Sequence, residues 1–140
     1  MKSLTLLTFI AIVLLSCQQG VEHKGEAIQL ENIESPSGPN ATLPYLIKGG
    51  DNLLYMSWVE KRDSNWVDLK YSVLQDLEWS APELIASGND WFVNWADYPM
   101  IAVDKDGNMI AHYLAKSSAG TYSYDVNVVI KPATESKWSE

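Results

Sequence analysis

The chain has 140 residues, a formal charge of −8 and an apolar fraction of 46%. An acidic chain with scattered lysines repels phosphate backbones, which argues against nucleic-acid binding, and the apolar fraction argues against disorder throughout. Six Trp and seven Tyr stand against two Phe, a balance that is common in β-strands and on saccharide-binding surfaces.

The N-terminus has the layout of a bacterial lipoprotein signal. Lys2 precedes an apolar run at residues 4–15, and Ser16 and Cys17 follow directly. The run is shorter than the roughly 20 residues that a membrane-spanning helix needs. We therefore predict a signal at residues 1–17 that is cut before Cys17, whose acyl chains anchor the protein in the bacterial cell envelope, at the outer membrane or cell surface. The alternative is an ordinary secretory signal with an incidental cysteine.

Cys17 is the only cysteine, so its acylation would leave no thiol for disulfides, thiolate catalysis or cysteine metal sites. Neither a phosphate-binding Gly-rich loop nor a dinucleotide fingerprint is present, and no cofactor is expected. Outside the cytoplasm, glycans, peptides and surface polymers are the natural ligands.

Residues 18–41 are rich in Gly, Ser, Pro and Glu, which predicts a flexible tether. From residue 42 to residue 140 the pattern changes to short β-like runs, and no stretch has a helical period. Strands are predicted at residues 43–48, 53–60, 66–74, 83–86, 99–103, 109–115 and 124–130, separated by turn-forming residues at 49–52, 61–65 and 104–108.

The second group of strands repeats the first. Trp58 corresponds to Tyr113, 55 residues later, and Trp79 corresponds to Trp138, 59 residues later. This period fits a large four-stranded propeller blade, and a propeller needs at least about four blades to close. We therefore expect the first two blades of a longer protein. The alternative is a complete small β-sandwich with coincidental internal similarity.

The segment Trp-Phe-Val-Asn-Trp-Ala-Asp-Tyr-Pro at residues 91–99 and the Trp-Ser pairs at 79–80 and 138–139 resemble the sialidase-like, BNR-repeat (Asp-box) β-propellers found among bacterial lipoproteins. Of the Asp-box itself, residues 73–79 keep Asp76 and lack the glycine. The resemblance implies an all-β fold, with about two four-stranded antiparallel blades of a six-bladed propeller after the signal and tether. It also implies action on glycans, either as an exo-α-sialidase-like glycoside hydrolase or as a non-catalytic propeller that binds glycans or proteins. A third option is a scaffold component of an envelope complex.

The family grips the sugar carboxylate with three arginines and uses a Tyr–Glu nucleophile pair with an aspartate as acid and base. Where the first arginine is expected, before Pro44, this chain reads Thr42-Leu43. Arg62 is the only arginine and lies in a predicted hairpin tip, where a solvated turn residue is expected.

Asp97 is the candidate catalytic residue. Its neighbours Trp95 and Tyr98 would desolvate the carboxyl group and raise its pKa toward the range of a general acid. The alternative is a local turn before Pro99. The candidate substrate-binding residues are Trp91, Asn94, Trp95 and Tyr98, since sugar C–H faces stack on aromatic rings while an amide binds hydroxyls. Packing is the alternative role for the two tryptophans.

No metal site is expected. His112 lies in a predicted strand and His23 in the tether, without convergent ligands at zinc spacing. Asp104, Asp106 and Asn108 alternate like the start of a calcium loop, but no glutamate follows at the required position, so a hairpin turn is predicted.

Overall fold

The structure, a computed structural model, describes residues 30–63 and 65–139. The strands of the described residues all lie in one compact unit, residues 33–140. The predicted signal peptide, Cys17, His23 and most of the predicted tether lie outside the described residues. Within the described ranges, no helix has the length and hydrophobicity that a membrane span requires.

The first sheet is an antiparallel meander that contains β1 (Ala41–Lys48), β2 (Leu54–Lys61) and β3 (Val67–Gln75). Two further strands, β4 (Glu78–Trp79) and β5 (Glu83–Gly88), both pair with β3. The β3–β4 turn places Asp76 and Leu77 at φ 51° and 66°, the left-handed pair that a tight hairpin turn requires.

The second sheet is built around β8 (Met109–Lys116). The short strand β6 (Trp91–Phe92) and β7 (Met100–Val103) pair with one edge of β8, and β9 (Tyr124–Lys131) pairs with the other. All of these pairings are antiparallel. The described residues are therefore all-β, as the sequence predicts, in two antiparallel sheets.

The predicted strand bounds agree with the observed ones within one or two residues. Alternation of apolar and polar residues is visible in the sequence, which explains this agreement. Strands β4 and β6 were not predicted, because two residues are too few to display a period.

The hydrophobic core lies between the two sheets. Tyr55, Val59, Leu69 and Tyr71 of the first sheet and Ile85 of β5 form one buried cluster with residues of the second sheet. The second sheet contributes Ile101, Val103, Met109, Ala111 and Val129. Because successive strand residues point to opposite faces, each sheet contributes one face to this core.

The strand registers show that the two sheets repeat one pattern. In the first sheet Ser57 pairs with Tyr45 on one side and Tyr71 on the other. In the second sheet His112 pairs with Met100 and Val128 in the same way. For β1 and β2, the sequence separation between a residue and its equivalent in the second sheet is the predicted one. For β3 this separation is two residues longer.

A hydrogen-bond motif, here called the serine clip, occurs at the same place in both sheets. Ser80 N donates to Val73 O at 2.8 Å, and Ser80 Oγ accepts from Val73 N at 3.1 Å. Ser139 N donates to Ile130 O at 2.7 Å, and its Oγ accepts from Ile130 N at 2.9 Å. Each Trp-Ser pair therefore closes back onto the third long strand of its sheet.

Candidate functional site

The two sheets differ most where the first strands pair, which are β1 with β2 in the first sheet and β6 and β7 with β8 in the second. In the first sheet, Thr42 and Tyr45 pair with Val59 and Ser57, and a two-residue bulge separates them. The equivalent residues of the second sheet, Phe92 and Met100, are separated by seven residues, 93–99. The 93–99 loop is therefore a five-residue expansion of a bulge that both sheets contain. Insertions on a rigid sheet are common locations for binding residues.

The base of the 93–99 loop is fixed to the fold. Val93 packs against the core cluster and Pro99 is buried. The ring of Tyr98 lies edge-on to Tyr45 of β1, with centroids 6.5 Å apart. Tyr98, predicted to bind substrate, thus holds the loop against the first sheet.

Asn94 shapes the tip of the loop. Its Oδ1 accepts hydrogen bonds from Ala96 N at 2.7 Å and Asp97 N at 2.8 Å, and its Nδ2 donates to Asp97 Oδ2 at 3.3 Å. The backbone closes the same turn, since Asn94 N donates to Asp97 O. Both ends of the Asn94 amide are engaged in the turn, which makes it a positioning residue.

The two tryptophans of the predicted platform have different surroundings. Trp91 stacks on Tyr113 with centroids 4.2 Å apart and packs against the core cluster. A side chain on Gly88 would collide with the Trp91 indole, so the glycine is needed for this packing. Trp95, in contrast, is 85% exposed. The Trp91 indole is therefore packed against the fold, whereas the Trp95 indole is exposed to solvent.

Asp97 lies beside Trp95 at the exposed tip. It belongs to the turn through its backbone and its contact with Asn94, so the local-turn alternative describes its geometry. Residues 89–99 carry two carboxylates, Asp90 and Asp97, and no Lys, Arg or His. The segment that carries Trp95 therefore has a negative formal charge, which favours ligands without negative charge.

The structure contains a Tyr–Glu pair, but in the interface between the sheets. Tyr71 Oη donates to Glu83 Oε2 at 2.7 Å, and Lys131 Nζ lies 2.8 Å from Tyr71 Oη and 3.0 Å from Glu83 Oε2. Tyr71 is 2% exposed, and burial raises the pKa of its hydroxyl. A buried tyrosine held in its neutral form is suited to joining β3, β5 and β9 and unsuited to attacking a sugar.

In the described structure, Arg62 makes no contact with the 93–99 loop. Its Nη2 lies 3.5 Å from Asp68 Oδ1, and its guanidinium carbon lies 4.9 Å from the centre of the Trp66 ring. The side chain is 53% exposed. These are the surroundings of a hairpin residue.

The 104–108 turn is satisfied by its own groups. Asp104 Oδ1 accepts from Asp106 N and Asn108 N, and Asp104 Oδ2 accepts from Asn108 Nδ2. Asn108 Oδ1 accepts from Ala133 N, which ties the turn to the residues after β9. Across residues 30–63 and 65–139, no three His, Cys, Asp or Glu side chains converge as metal ligands.

A second surface of interest is the outer side of the second sheet, here called the open face. It consists of Met100, Ala102, Ile110, His112, Leu114, Val126, Val128 and Ile130. Val126 and Val128 are 65% and 50% exposed. A shallow depression of ≈ 290 Å³ runs from this face to Tyr45 and Ile47 of β1. These eight neighbouring residues carry no carboxylate, in a chain of charge −8, and form a largely apolar exposed surface.

Comparisons of the chain with models of protein families, with curated proteins and with solved structures find no significant match.

Proposed function

We propose that this chain is the N-terminal part of a lipid-anchored propeller at the bacterial cell envelope, and that it binds glycans without hydrolysing them. The binding role rests on the 93–99 loop. This loop has five residues more than the equivalent bulge of the first sheet, and it holds an exposed indole on a fixed turn. Aromatic rings with an adjacent hydrogen-bonding group are the usual means of holding a sugar.

Binding is favoured over hydrolysis by the charged groups. A sialidase-like reaction needs cations around the sugar carboxylate, and Arg62 is engaged at a hairpin with Asp68. Tyr71, the nucleophile of the Tyr71–Glu83 pair, is buried between the sheets, where a ligand that approaches from solvent does not reach it. An exo-α-sialidase-like activity would need its arginines and nucleophile from other sheets, with Asp97 as the candidate acid.

Purified protein titrated with a glycan panel tests the binding role. Trp fluorescence should change on addition of at least one oligosaccharide, and no product should form. The absence of any response across neutral and charged glycans would end the binding proposal. Release of sialic acid from an aryl sialoside that is lost in Asp97→Asn would favour the hydrolase instead.

The proposed propeller is supported by a comparison of equivalent faces of the two sheets. The core face of the first sheet, with Tyr55, Ser57 and Val59, is covered by the second sheet. Its equivalents in the repeat are Ile110, His112 and Leu114, which lie on the open face. Sheets that stack in one direction always leave such a face on the last member. We propose that a third sheet of the same repeat, in the same polypeptide, covers the open face.

Cysteine labelling tests this covering in a Cys17→Ser background, where an introduced thiol is the only one. In the protein produced from its own gene, Val128→Cys should resist a maleimide, while Leu77→Cys, at a similarly exposed position of the β3–β4 turn and on neither sheet face, should react. Rapid labelling of Val128→Cys would contradict the covering. Protection that disappears on dilution would indicate a second copy instead, and would also contradict it.

The envelope location rests on the sequence of the leader. Wild-type protein should incorporate labelled fatty acid and fractionate with membranes, whereas Cys17→Ser should do neither. Fatty-acid labelling of Cys17→Ser would refute the anchor.

A further inference from the structure

We infer that Trp95 is the ligand-stacking residue of the chain, that its ligand is an uncharged saccharide, and that Asn94 is the positioning residue that holds the indole in place. This inference rests on the proposed glycan-binding function and narrows it to one side chain and one class of sugar.

The comparison of registers distinguishes Trp95 from the other aromatic residues of the segment. The bulge in the first sheet needs two residues, so the fold itself does not require the five extra ones. Within the expansion, Val93, Tyr98 and Pro99 make contacts that fix the loop, and Trp95 remains 85% exposed. At this exposure the ring contributes little burial to stability, and its position on an inserted, ordered turn leaves it accessible for stacking on a ligand.

The Asn94 turn fixes the backbone on both sides of Trp95. Ala96 N and Asp97 N, which directly follow the tryptophan, both donate to Asn94 Oδ1. A ring whose backbone is already ordered loses less conformational freedom when a ligand binds, so affinity increases. The loss of Asn94 should therefore weaken binding without removing any contact with the ligand.

The charges select the kind of sugar. Asp97 lies two residues after Trp95 at the same exposed tip, and residues 89–99 contain no Lys, Arg or His. Lys116 meets the other end of the segment at Asp90 and directs its ammonium group to Gly120 O, at 2.9 Å. A carboxylate accepts hydrogen bonds from sugar hydroxyls and repels a sugar carboxylate. The site therefore suits neutral hexose or N-acetylhexosamine chains and disfavours sialic acid.

The test is isothermal titration of the purified protein with neutral hexaoses of glucose, mannose and N-acetylglucosamine, and with sialyllactose. Trp95→Ala should reduce the affinity for the neutral ligand at least tenfold, and Trp95→Phe should restore part of it. Trp66→Ala, which removes a partly exposed indole from the β2–β3 connection, is the matched control and should stay within twofold.

The positioning role has its own readout. Asn94→Ala should weaken binding several-fold and speed amide hydrogen exchange at Ala96 and Asp97, and Asn94→Asp, which keeps an acceptor oxygen, should restore slow exchange. Unchanged exchange in Asn94→Ala would overturn the positioning role.

The failures are distinguishable. Neutral-glycan binding that survives Trp95→Ala would overturn the assignment of Trp95 and leave the proposed function standing. Preference for sialyllactose would overturn the assignment of an uncharged ligand. The absence of binding to every glycan by the wild-type protein would overturn both.

Discussion

Replacement of Lys131 by methionine tests whether the contact that joins β9 to β3 and β5 stabilises the folded unit. Lys131 Nζ bonds to Tyr71 Oη and to Glu83 Oε2, and its side chain is 15% exposed. Methionine retains the apolar stem and removes the ammonium group, so the change isolates the polar contacts.

The expected cost follows from the exposure of the partners. A hydrogen bond to a charged group contributes about 1.5–3 kcal/mol when shielded, and an exposed ion pair about 0–1 kcal/mol. Glu83 is half exposed and regains water, and Tyr71 still donates to it in the variant. We therefore expect a loss of about 1.5 kcal/mol, which lowers the melting temperature by about 6 °C for a domain of this size.

The pH dependence has a defined sign. Burial alone lowers the pKa of Lys131, but hydrogen bonds with Tyr71 and Glu83 outweigh burial and raise it above 10.5. Burial alone raises the pKa of Glu83, but hydrogen bonds from Tyr71 and Lys131 outweigh burial and lower it below 4.5. The Lys131 contribution is lost as pH rises above 10.5, and the Glu83 contribution is lost as pH falls below 4.5. The difference between wild type and Lys131→Met should be largest between these limits and shrink outside them.

Urea unfolding followed by Trp fluorescence measures the effect, with Lys105→Met as the control because Lys105 is exposed and paired only with its neighbour Asp106. If Lys131→Met and Lys105→Met have the same midpoint at pH 7, the contact contributes nothing and the reasoning is refuted. A difference that grows above pH 11 would refute the linkage argument.

Three further predictions concern turns. Leu77→Gly should stabilise the protein by about 0.5–1 kcal/mol in denaturant unfolding, because a left-handed conformation costs a non-glycine residue about 1–2 kcal/mol, whereas Leu46→Gly within β1 should destabilise it. Ser139→Ala and Ser80→Ala should each cost about 1 kcal/mol by the same assay, since each removes one serine-clip acceptor; unequal costs would contradict the equivalence of the clips. A hydrogen bond from the Asn108 side chain, with backbone N–H donors, lowers the pKa of Asp104 below 3.8, so the Asn108 amide resonance should titrate below that value in NMR spectra, and titration at or above it would contradict this.

The sequence predicted much of the fold because both of its signals are local. Alternating residues identify strands, and the Gly-rich and Asp-rich turns separate them. The internal repeat was also visible, because Trp79 and Trp138 mark equivalent ends. The five extra residues of the 93–99 loop could not be recognised in the sequence. Only the pairing of Phe92 with Leu114 and of Met100 with His112 shows how many residues the loop adds.

The candidate site was predicted as a segment, but the roles within it were not. Trp91 and Trp95 are the same residue type four positions apart, and only the contact with Tyr113 distinguishes the packed ring from the presented one. The amide of Asn94 organises the turn, which the sequence did not indicate, and its binding of substrate stays a prediction. The Tyr71, Glu83 and Lys131 contact joins residues far apart in sequence, for which one chain offers no signal.

The serine clip has a consequence for how such a chain diverges. Its atoms are one hydroxyl and the main-chain groups of a neighbouring strand, so it makes no demand on adjacent side chains. After a duplication, each daughter segment could replace nearly all its residues while retaining closure through a single conserved atom. Ancestry among distant relatives should therefore be sought in the placement of that hydroxyl, rather than in overall residue identity.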